Sequence, residues 1–477
     1  MARLNGVQKI VDARPTSQLL DLEKHLQREL ESILDQDRDI WALKSRVNWM
    51  ILGGRNTSFY HFSTLVRRKR NRISAIKNSV GDWLFEEREV MDYIRKGFEG
   101  LYSSSLTYFE RYSSIANQWQ VTLAEEESEA LNREVSEEEI KEALWSMKPF
   151  KAPGPDGLHV RFYQHFWLVV GKSVVEEIKD IFLKKKIPEY LNQTLITLIP
   201  KIKGPESLGN YRPISLCNTV YKLVTKIIIA RFRPHLNKLI SPCQAAFIPG
   251  RKGTDNAIIV QELIHTISRS KGKEGYMAIK IDLEKAFDKL EWGFIRERLI
   301  CTNLPMDLIE LIMSCILSVS TSVLFNGGML DPIHPSKGIR QGDPLSPYIF
   351  ILCIEFLGQL IEGKCKEKLW NPVKSSRNGP SFSHLFFADD LVLFAKANHA
   401  NCTAIREVMT IFCEKSGQSV SESKSKVYFS PNIDIASREN MCNILGFRST
   451  ASLESTWVFQ LSTLGHPIMI TILCWIE

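Results

Sequence analysis

Two adjacent aspartates, Asp389 and Asp390, interrupt a run that is otherwise wholly apolar: Leu385-Phe386-Phe387-Ala388 before them and Leu391-Val392-Leu393-Phe394 after. The composition on either side predicts two short strands, Leu385 to Phe387 and Leu391 to Phe394, that meet at the two charges. Carboxylates flanked by such strands are partly desolvated. They either bind protons, their pKa raised, or hold a cation, and hard divalent ions prefer oxygen ligands. The plain alternative is an Asp-Asp hairpin turn with both groups in water.

A third carboxylate shifts the balance toward metal chemistry. In Tyr276-Met277-Ala278-Ile279-Lys280-Ile281-Asp282-Leu283, Ile279 and Ile281 alternate with Lys280 and Asp282, so a strand ends by presenting Asp282 on one face. Glu284 to Asp288 is expected to turn into a helix. If this strand pairs beside the Asp-Asp hairpin, Asp282, Asp389 and Asp390 converge, and three carboxylates in one place repel unless divalent ions join them. Two ions about 4 Å apart serve in-line phosphoryl displacement: one lowers the pKa of an attacking hydroxyl, the other steadies the leaving pyrophosphate. Between the strands, Gly338-Ile339-Arg340-Gln341-Gly342-Asp343-Pro344-Leu345-Ser346-Pro347 forms a loop feeding a helix, with Ser346 the expected N-cap and Pro347 the first helical residue. Gly342 lets backbone approach a ligand closely, and Gln341 offers both a donor and an acceptor. A plain strand-to-helix turn is the alternative here.

At 477 residues the chain is long enough for about three domains or one multi-lobed enzyme. Leu19, Leu22, Leu26 and Leu30 recur at helical spacing and Ile33, Ile40 and Leu43 continue the stripe, which predicts a long N-terminal helix. From Ile40 to Val80 there are nine Lys or Arg and no Asp or Glu, with Trp41, Trp49, Phe59, Tyr60 and Phe62 interleaved. Such a segment can follow a phosphate backbone while its rings stack on bases, with Lys44, Arg46, Arg55, Arg67, Arg68, Lys69 and Arg70 as the candidate contacts. A helix with a solvated basic face and core aromatics is the competing reading. The net charge of +7 is compatible with a polyanionic partner without requiring one. The cluster around Arg67 to Arg72 also has the composition of a nuclear localisation signal.

An acidic stretch, Glu125 to Glu142, bounds this segment. Ser136 followed by Glu139 is a capping box that starts a short helix along Ile140, Ala143, Leu144 and Met147, and the helix ends at the breaker-rich Lys151 to Gly157. With a further strand at Thr194 to Ile199, the chain is mixed α+β. The ten cysteines never lie closer than eleven positions, so no zinc-knuckle spacing occurs and reduced core thiols are expected. Residues 1 to 30 lack the apolar region of a secretory signal, and the apolar run Tyr348 to Ile354 stops at Glu355, too short for a bilayer. The expectation is an intracellular protein, nuclear or cytoplasmic, with no membrane partner.

Three ordered motifs, Ile281-Asp282-Leu283-Glu284-Lys285-Ala286-Phe287-Asp288, Arg340-Gln341-Gly342-Asp343-Pro344-Leu345-Ser346-Pro347 and Phe387-Ala388-Asp389-Asp390, together resemble one family, the reverse transcriptase of non-LTR, LINE-type retrotransposons, particularly the plant kind. The resemblance covers roughly residues 40 to 447. It includes Lys44-Ser45-Arg46, Gly54 to His61, Lys151 to Gly157, Leu198-Ile199-Pro200-Lys201 and Tyr211 to Leu216. It implies a right-hand polymerase with fingers and an antiparallel palm sheet backed by helices, preceded by a helical extension. It further implies an RNA template, a DNA primer, deoxynucleotides and two magnesium ions, with manganese as a substitute. Asp282, Asp389 and Asp390 match the family's metal-binding aspartates. Phe287 matches the aromatic gate against a ribose 2′-hydroxyl, and Gln341 and Gly342 the loop that contacts the incoming nucleotide. Lys201 and Arg212 match basic residues that hold the triphosphate, and Lys424 resembles a palm lysine placed to protonate pyrophosphate.

The departures from the family pattern shape the remaining expectations. No cluster of an apurinic-type endonuclease is recognisable in residues 1 to 120, and RNase H and zinc-knuckle patterns are absent. Gly54 stands where relatives often carry an acidic residue. After Gly446-Phe447 the pattern fades, so an incomplete thumb is expected. The resulting division is a helical basic extension at 1–120, a linker and helices leading into the fingers at 121–181, the reverse transcriptase domain at 182–450, and a divergent tail at 451–477. The rival expectation is a nucleic-acid-binding remnant of the same fold that no longer extends primers.

Overall fold

The computed structural model describes residues 1–45, 57–104, 121–376 and 378–453. The chain divides into two compact units, Met1–Ile76 and Lys77–Glu477.

The first unit holds helices α1 (Ala2–Ala13), α2 (Ser17–Ser45) and α3 (Thr57–Asn71). Leu22, Leu26 and Leu30, four residues apart, pack with Leu4, Val7 and Val11 of α1. The apolar stripe read from the sequence loses its partner beyond Leu30, for Ile33 and Ile40 are exposed. In α3 Tyr60 is buried whereas Phe62 is 67% exposed, so the aromatics divide between core and surface. Arg68, Lys69 and Arg70 occupy the last turn of α3, where cations favour the negative end of the helix dipole. Lys44 lies on α2, while Arg46, Arg55 and the Gly54 position fall outside the described residues.

The first helix of the second unit is α4 (Glu87–Tyr102), whose Val90, Ile94, Phe98 and Tyr102 form one buried stripe. Helices α5 (Glu125–Leu131), α6 (Glu137–Trp145), α7 (Val160–His165) and α8 (Trp167–Lys184) follow. Ser136 caps α6 by accepting from the Glu139 N–H at 3.1 Å. The Glu139 carboxylate of the expected capping box is instead taken by the buried Arg231, at 2.8 Å to each oxygen, because that guanidinium needs a desolvated counter-charge.

Next come β1 (Gln193–Pro200), β2 (Tyr211–Cys217), α9 (Thr219–Phe232), α10 (Gly253–Ser268) and β3 (Tyr276–Asp282). Then follow α11 (Trp292–Cys301), α12 (Met306–Leu317), β4 (Ser320–Phe325), β5 (Gly328–Met329) and α13 (Ser346–Lys366). The last elements are β6 (His384–Phe387), β7 (Asp390–Lys396), α14 (His399–Ser416), β8 (Lys426–Phe429), α15 (Ile435–Leu445) and β9 (Arg448–Ser449). The architecture is mixed α+β, with one sheet in the order β6-β7-β3-β8-β9 and another in the order β2-β1-β4-β5.

The central strands of the five-stranded sheet are covered on both faces, which explains their near-continuous apolar sequences. Met277, Ile279, Ile281, Leu391 and Leu393 belong to the large core shared with α13 and α14. Their alternates Ala278, Val392 and Phe394 pack with Val260, Leu263, Ile264 and Ile267 of α10.

Two local expectations need correction. Glu284 to Asp288 forms a turn, and the following helix begins only at Trp292. Ser346 is the first residue of α13 rather than its cap; Leu345 holds the cap position, and Asp343 accepts from the Leu345 N–H at 2.9 Å. The acidic side chain two residues earlier thus serves the helix start that a serine was expected to serve. The nine cysteines among the described residues are free and buried or half-buried, and no described helix is long and apolar enough to cross a membrane.

Candidate active site

Strands β7 and β3 pair antiparallel, and their register sets Asp390 directly opposite Asp282. Direct antiparallel partners share a face and bring their Cβ atoms about 5 Å apart. The hairpin joining β6 to β7 turns through Ala388 and Asp389, with Ala388 in the left-handed region at φ 54°. Asp390 therefore belongs to the strand and Asp389 to the turn, so the two neighbours present their carboxylates differently.

Burial and neighbouring carboxylates raise the proton affinity of Asp389 and Asp390. Asp390 is pushed up to about 6, first by burial and then by the charge of Asp389, with Asp282 adding to it and Lys280 opposing. Asp389 is exposed on one side of its turn, yet the protein packed around it, followed by the charge of Asp282, raises its carboxyl, while Arg212 and Lys280 oppose that shift. Two cations stand beside the acids: Lys280 Nζ is 4.0 Å from Asp390, and Lys424 Nζ is 3.7 Å from Asp282. Lys424 is 71% exposed, whereas Lys280 is 8% exposed and shares the sheet face of the two aspartates.

Among the described residues, no three His, Cys, Asp or Glu side chains are already gathered as an ion cage. The donor set itself, two carboxylates in direct register with a third on the adjoining turn and all three oxygen ligands, suits a hard divalent cation. Asp282, Asp389 and Asp390 are the residues that could hold it.

The segment leading into β8 fixes the end of β3. Ser421 N–H donates to the Asp282 carbonyl at 2.8 Å, Asp282 N–H donates to Ser425 Oγ at 3.1 Å, and Glu284 N–H donates to the Ser419 carbonyl at 2.9 Å. That ladder is what carries Lys424 to Asp282.

The four-stranded sheet contributes cations. Lys201 follows β1 directly, and its Nζ donates to the Gly209 carbonyl at 3.0 Å. Arg212 sits on β2 opposite Ile199. Burial lowers the Lys201 pKa, and the charges of Arg212, Lys424 and Lys285 lower it further, so four cations share one neighbourhood. Lys285, in a left-handed backbone conformation at φ 49°, was not singled out from the sequence.

Gln341 and Gly342 lie against β2. Ser215 N–H donates to the Gln341 carbonyl at 2.7 Å. Gly342 has φ 108°, and a Cβ there would stand 2.9 Å from the Ser215 carbonyl oxygen, so only glycine fits without displacing the strand. The preceding Arg340, its side chain 10% exposed, donates to Asn192 Oδ1 at 2.7 Å, Thr194 Oγ1 at 3.0 Å, the Cys315 carbonyl at 2.9 Å and the Tyr221 hydroxyl, and it pairs with Asp343 at 3.1 Å. Tyr221 in turn donates to Asp343 at 2.5 Å. Phe287 is half-buried and stacks on Phe350, with ring centroids 4.7 Å apart and planes 12° from parallel.

Gln244 is another residue that sequence reasoning missed. Its Oε1 accepts from Ala246 N–H at 2.9 Å and from Ala388 N–H at 3.1 Å, bracing the left-handed turn beside Asp389. No local pattern signals this role, because Gln244 and Ala388 meet only through the pairing of residues 243–245 with Phe386.

The chain matches the family described as reverse transcriptase (RNA-dependent DNA polymerase) over residues 199–449, a little more than half its length. It belongs to that family. The matched region contains Lys201, Arg212, Asp282, Phe287, Gln341, Gly342, Asp389, Asp390 and Lys424, whereas α1 to α8 precede it. Among curated relatives, the chain is similar to the Transposon TX1 uncharacterized 149 kDa protein of Xenopus laevis, 26% identical over 313 residues that make up 66% of this chain and 24% of that protein. It is similar to the retrovirus-related Pol polyprotein from type-2 retrotransposable element R2DM of Drosophila melanogaster, 26% identical over 55% of this chain and 23% of that polyprotein. A segment of 67 residues is 45% identical to an uncharacterized mitochondrial protein of Arabidopsis thaliana, covering 14% of this chain and 55% of that protein. The chain spans about a quarter of the length of the first two relatives.

Proposed function

We propose that this reverse transcriptase family member extends a DNA primer on an RNA template and serves a non-LTR retrotransposon of the plant kind. The single observation that carries this reading is the register of Asp390 against Asp282, with Asp389 on the adjoining turn and Lys201, Arg212, Lys285 and Lys424 close by. In this reading the five-stranded sheet is the palm and the four-stranded sheet the fingers. The relatives' names, which speak of a transposon and of retrotransposable elements, support the biological assignment, and the Arabidopsis segment supports the plant kind.

Asp282, Asp389 and Asp390 would hold two magnesium ions, which supply activation of the primer hydroxyl and charge stabilisation of the departing pyrophosphate. Lys201 and Arg212 bind the triphosphate, the guanidinium suiting paired phosphate oxygens. Lys424, exposed and 3.7 Å from Asp282, delivers a proton to pyrophosphate. Gln341 and Gly342 line the bound nucleotide, and Phe287, its ring fixed by Phe350, excludes a 2′-hydroxyl. Lys44, Arg46, Arg55, Arg67, Arg68, Lys69 and Arg70 follow the template or primer backbone through charge, which makes their contribution salt-dependent.

The test is primer extension on an RNA template with the natural chain and Asp389→Asn. Incorporation by the first and none by the second is expected. Equal incorporation by both removes the assignment of the aspartates. Salt-dependent RNA binding with no incorporation by either selects a binding protein of polymerase fold.

A further inference from the structure

Outside the matched region, α4 ends in a residue that reaches the candidate nucleotide-contacting loop. The Tyr102 hydroxyl lies 3.5 Å from Asp288 Oδ1, and Gln341 Nε2 donates to Asp288 Oδ2 at 3.2 Å. One buried carboxylate thus bridges a tyrosine of the upstream helix and the glutamine of the loop. The bridge is embedded in main-chain bonds. Ser336 N–H and Lys337 N–H donate to the Tyr102 carbonyl at 2.8 and 3.2 Å, Ile339 N–H donates to the Phe287 carbonyl at 2.8 Å, and Gly338 N–H donates to the Leu290 carbonyl at 2.8 Å. Gly338 has φ 85°, and a Cβ there would stand 2.5 Å from the Asp288 carbonyl oxygen, so the loop and the turn are pressed together.

Asp288 is an unusual choice for such a place. It is 2% exposed, and burial pushes it up to about 7 although Lys285, Tyr102, Lys201 and Gln341 all favour its charged form. A carboxyl kept at that cost is explained by what it holds. A half-buried glutamine amide has two orientations, and Asp288 in its ionised form, which Lys285, Tyr102, Lys201 and Gln341 favour, accepts only from the NH2 end, so that bond fixes which end of Gln341 is left to face a ligand.

We propose that Asp288 is a positioning residue for Gln341, braced by Tyr102, so that the helix upstream of the matched domain completes the nucleotide-contacting loop. This rests on the polymerase reading above. Asp288 and Tyr102 touch no substrate in this account; they act through the orientation of Gln341.

The experiment measures steady-state KM and kcat for deoxynucleotide on an RNA-templated primer with the full chain. The set is Asp288→Ala, Asp288→Asn, Tyr102→Phe and Gln341→Ala, with the first three repeated in the Gln341→Ala background. Asp288→Ala is expected to raise KM about tenfold with kcat little changed, and Asp288→Asn, which keeps an acceptor for the glutamine, to restore KM to within about threefold of the natural chain. In the Gln341→Ala background Asp288→Ala adds nothing further, because the group it positions is gone. An unchanged KM, or effects that add in full, overturns the proposal. Should Asp288→Ala fail to fold, Tyr102→Phe, which removes one hydroxyl, decides by the same comparison: a raised KM that vanishes with Gln341→Ala supports it, and an unchanged or additive one overturns it. A natural chain that adds no nucleotide overturns the polymerase reading and this proposal with it, whereas primer extension without coupling overturns the positioning role alone.

Discussion

Asp282 and Asp390 are direct cross-strand partners where two central strands end, in a sheet whose interior residues are almost all apolar. Like charges directly opposite destabilise a strand pair, so this pair works against the fold that presents it. Asp390→Asn should therefore raise the melting temperature in chelator at pH 8. The sign follows from the Asp390 pKa, raised from 3.8 to about 6: the stability it contributes below 3.8 is lost as pH rises through 6, and the amide escapes that loss. Adding magnesium should stabilise the natural chain more than the variant. Thermal melts at pH 4 and pH 8, with and without magnesium, check both; equal magnesium shifts would count against Asp390 as a ligand.

Glu355 gives a second pH dependence. It is buried in α13, and burial, with the nearby Glu362 adding, raises it from 4.5 to about 8 against the opposing Ser241 backbone and Arg251. The neutral acid is the stable folded form, so stability present below pH 4.5 should decline as pH rises toward 8. Glu355→Gln should flatten that decline, giving a melting temperature several degrees above the natural chain at pH 8.5 and close to it at pH 5. Parallel curves for the two proteins would refute the assignment.

Arg340 is held by three side-chain oxygens, one carbonyl and Asp343, all in the interior. Arg340→Met leaves Asp343 without its buried counter-charge and should cost about 3–5 kcal/mol in urea denaturation. Arg340→Lys should recover little, because an ammonium cannot reproduce the planar fork. Full recovery by lysine would show that charge alone matters there.

Gln244→Ala removes the acceptor for two main-chain N–H groups, one of them in the left-handed Ala388 turn. The expected loss of stability is about 1–3 kcal/mol. Incorporation should fall by a larger factor than the population of folded chain, since the turn carries Asp389. A fall matched to the unfolded fraction would reduce Gln244 to a purely structural role.

Phe287→Ala should raise ribonucleotide incorporation relative to deoxynucleotide by at least about tenfold, with Phe350 losing its stacking partner. Competition assays with matched ribo- and deoxynucleotides measure the ratio, and unaltered discrimination would end the gate assignment.

The sequence by itself determined the elements that bear the chemistry. Alternation in Tyr276 to Asp282, apolar runs around Asp389-Asp390, and the glycine in Arg340-Gln341-Gly342 are local patterns, and strands and turns answer to local patterns. They located each aspartate to within a residue or two of its strand end, and the cap of α13 slipped by one because Asp343 competes with Ser346 for that work. What only the tertiary structure decided is which distant groups meet. The register that sets Asp390 against Asp282, the Gln244 brace on Ala388, the Glu139 carboxylate drawn to Arg231, and the Tyr102–Asp288–Gln341 bridge all join residues far apart in the chain. Register follows from burying one complete face of a strand against helices elsewhere, and a buried polar group takes whichever partner the packing brings within reach. Neither constraint is written in the neighbouring residues, so neither could be read until the chain was folded.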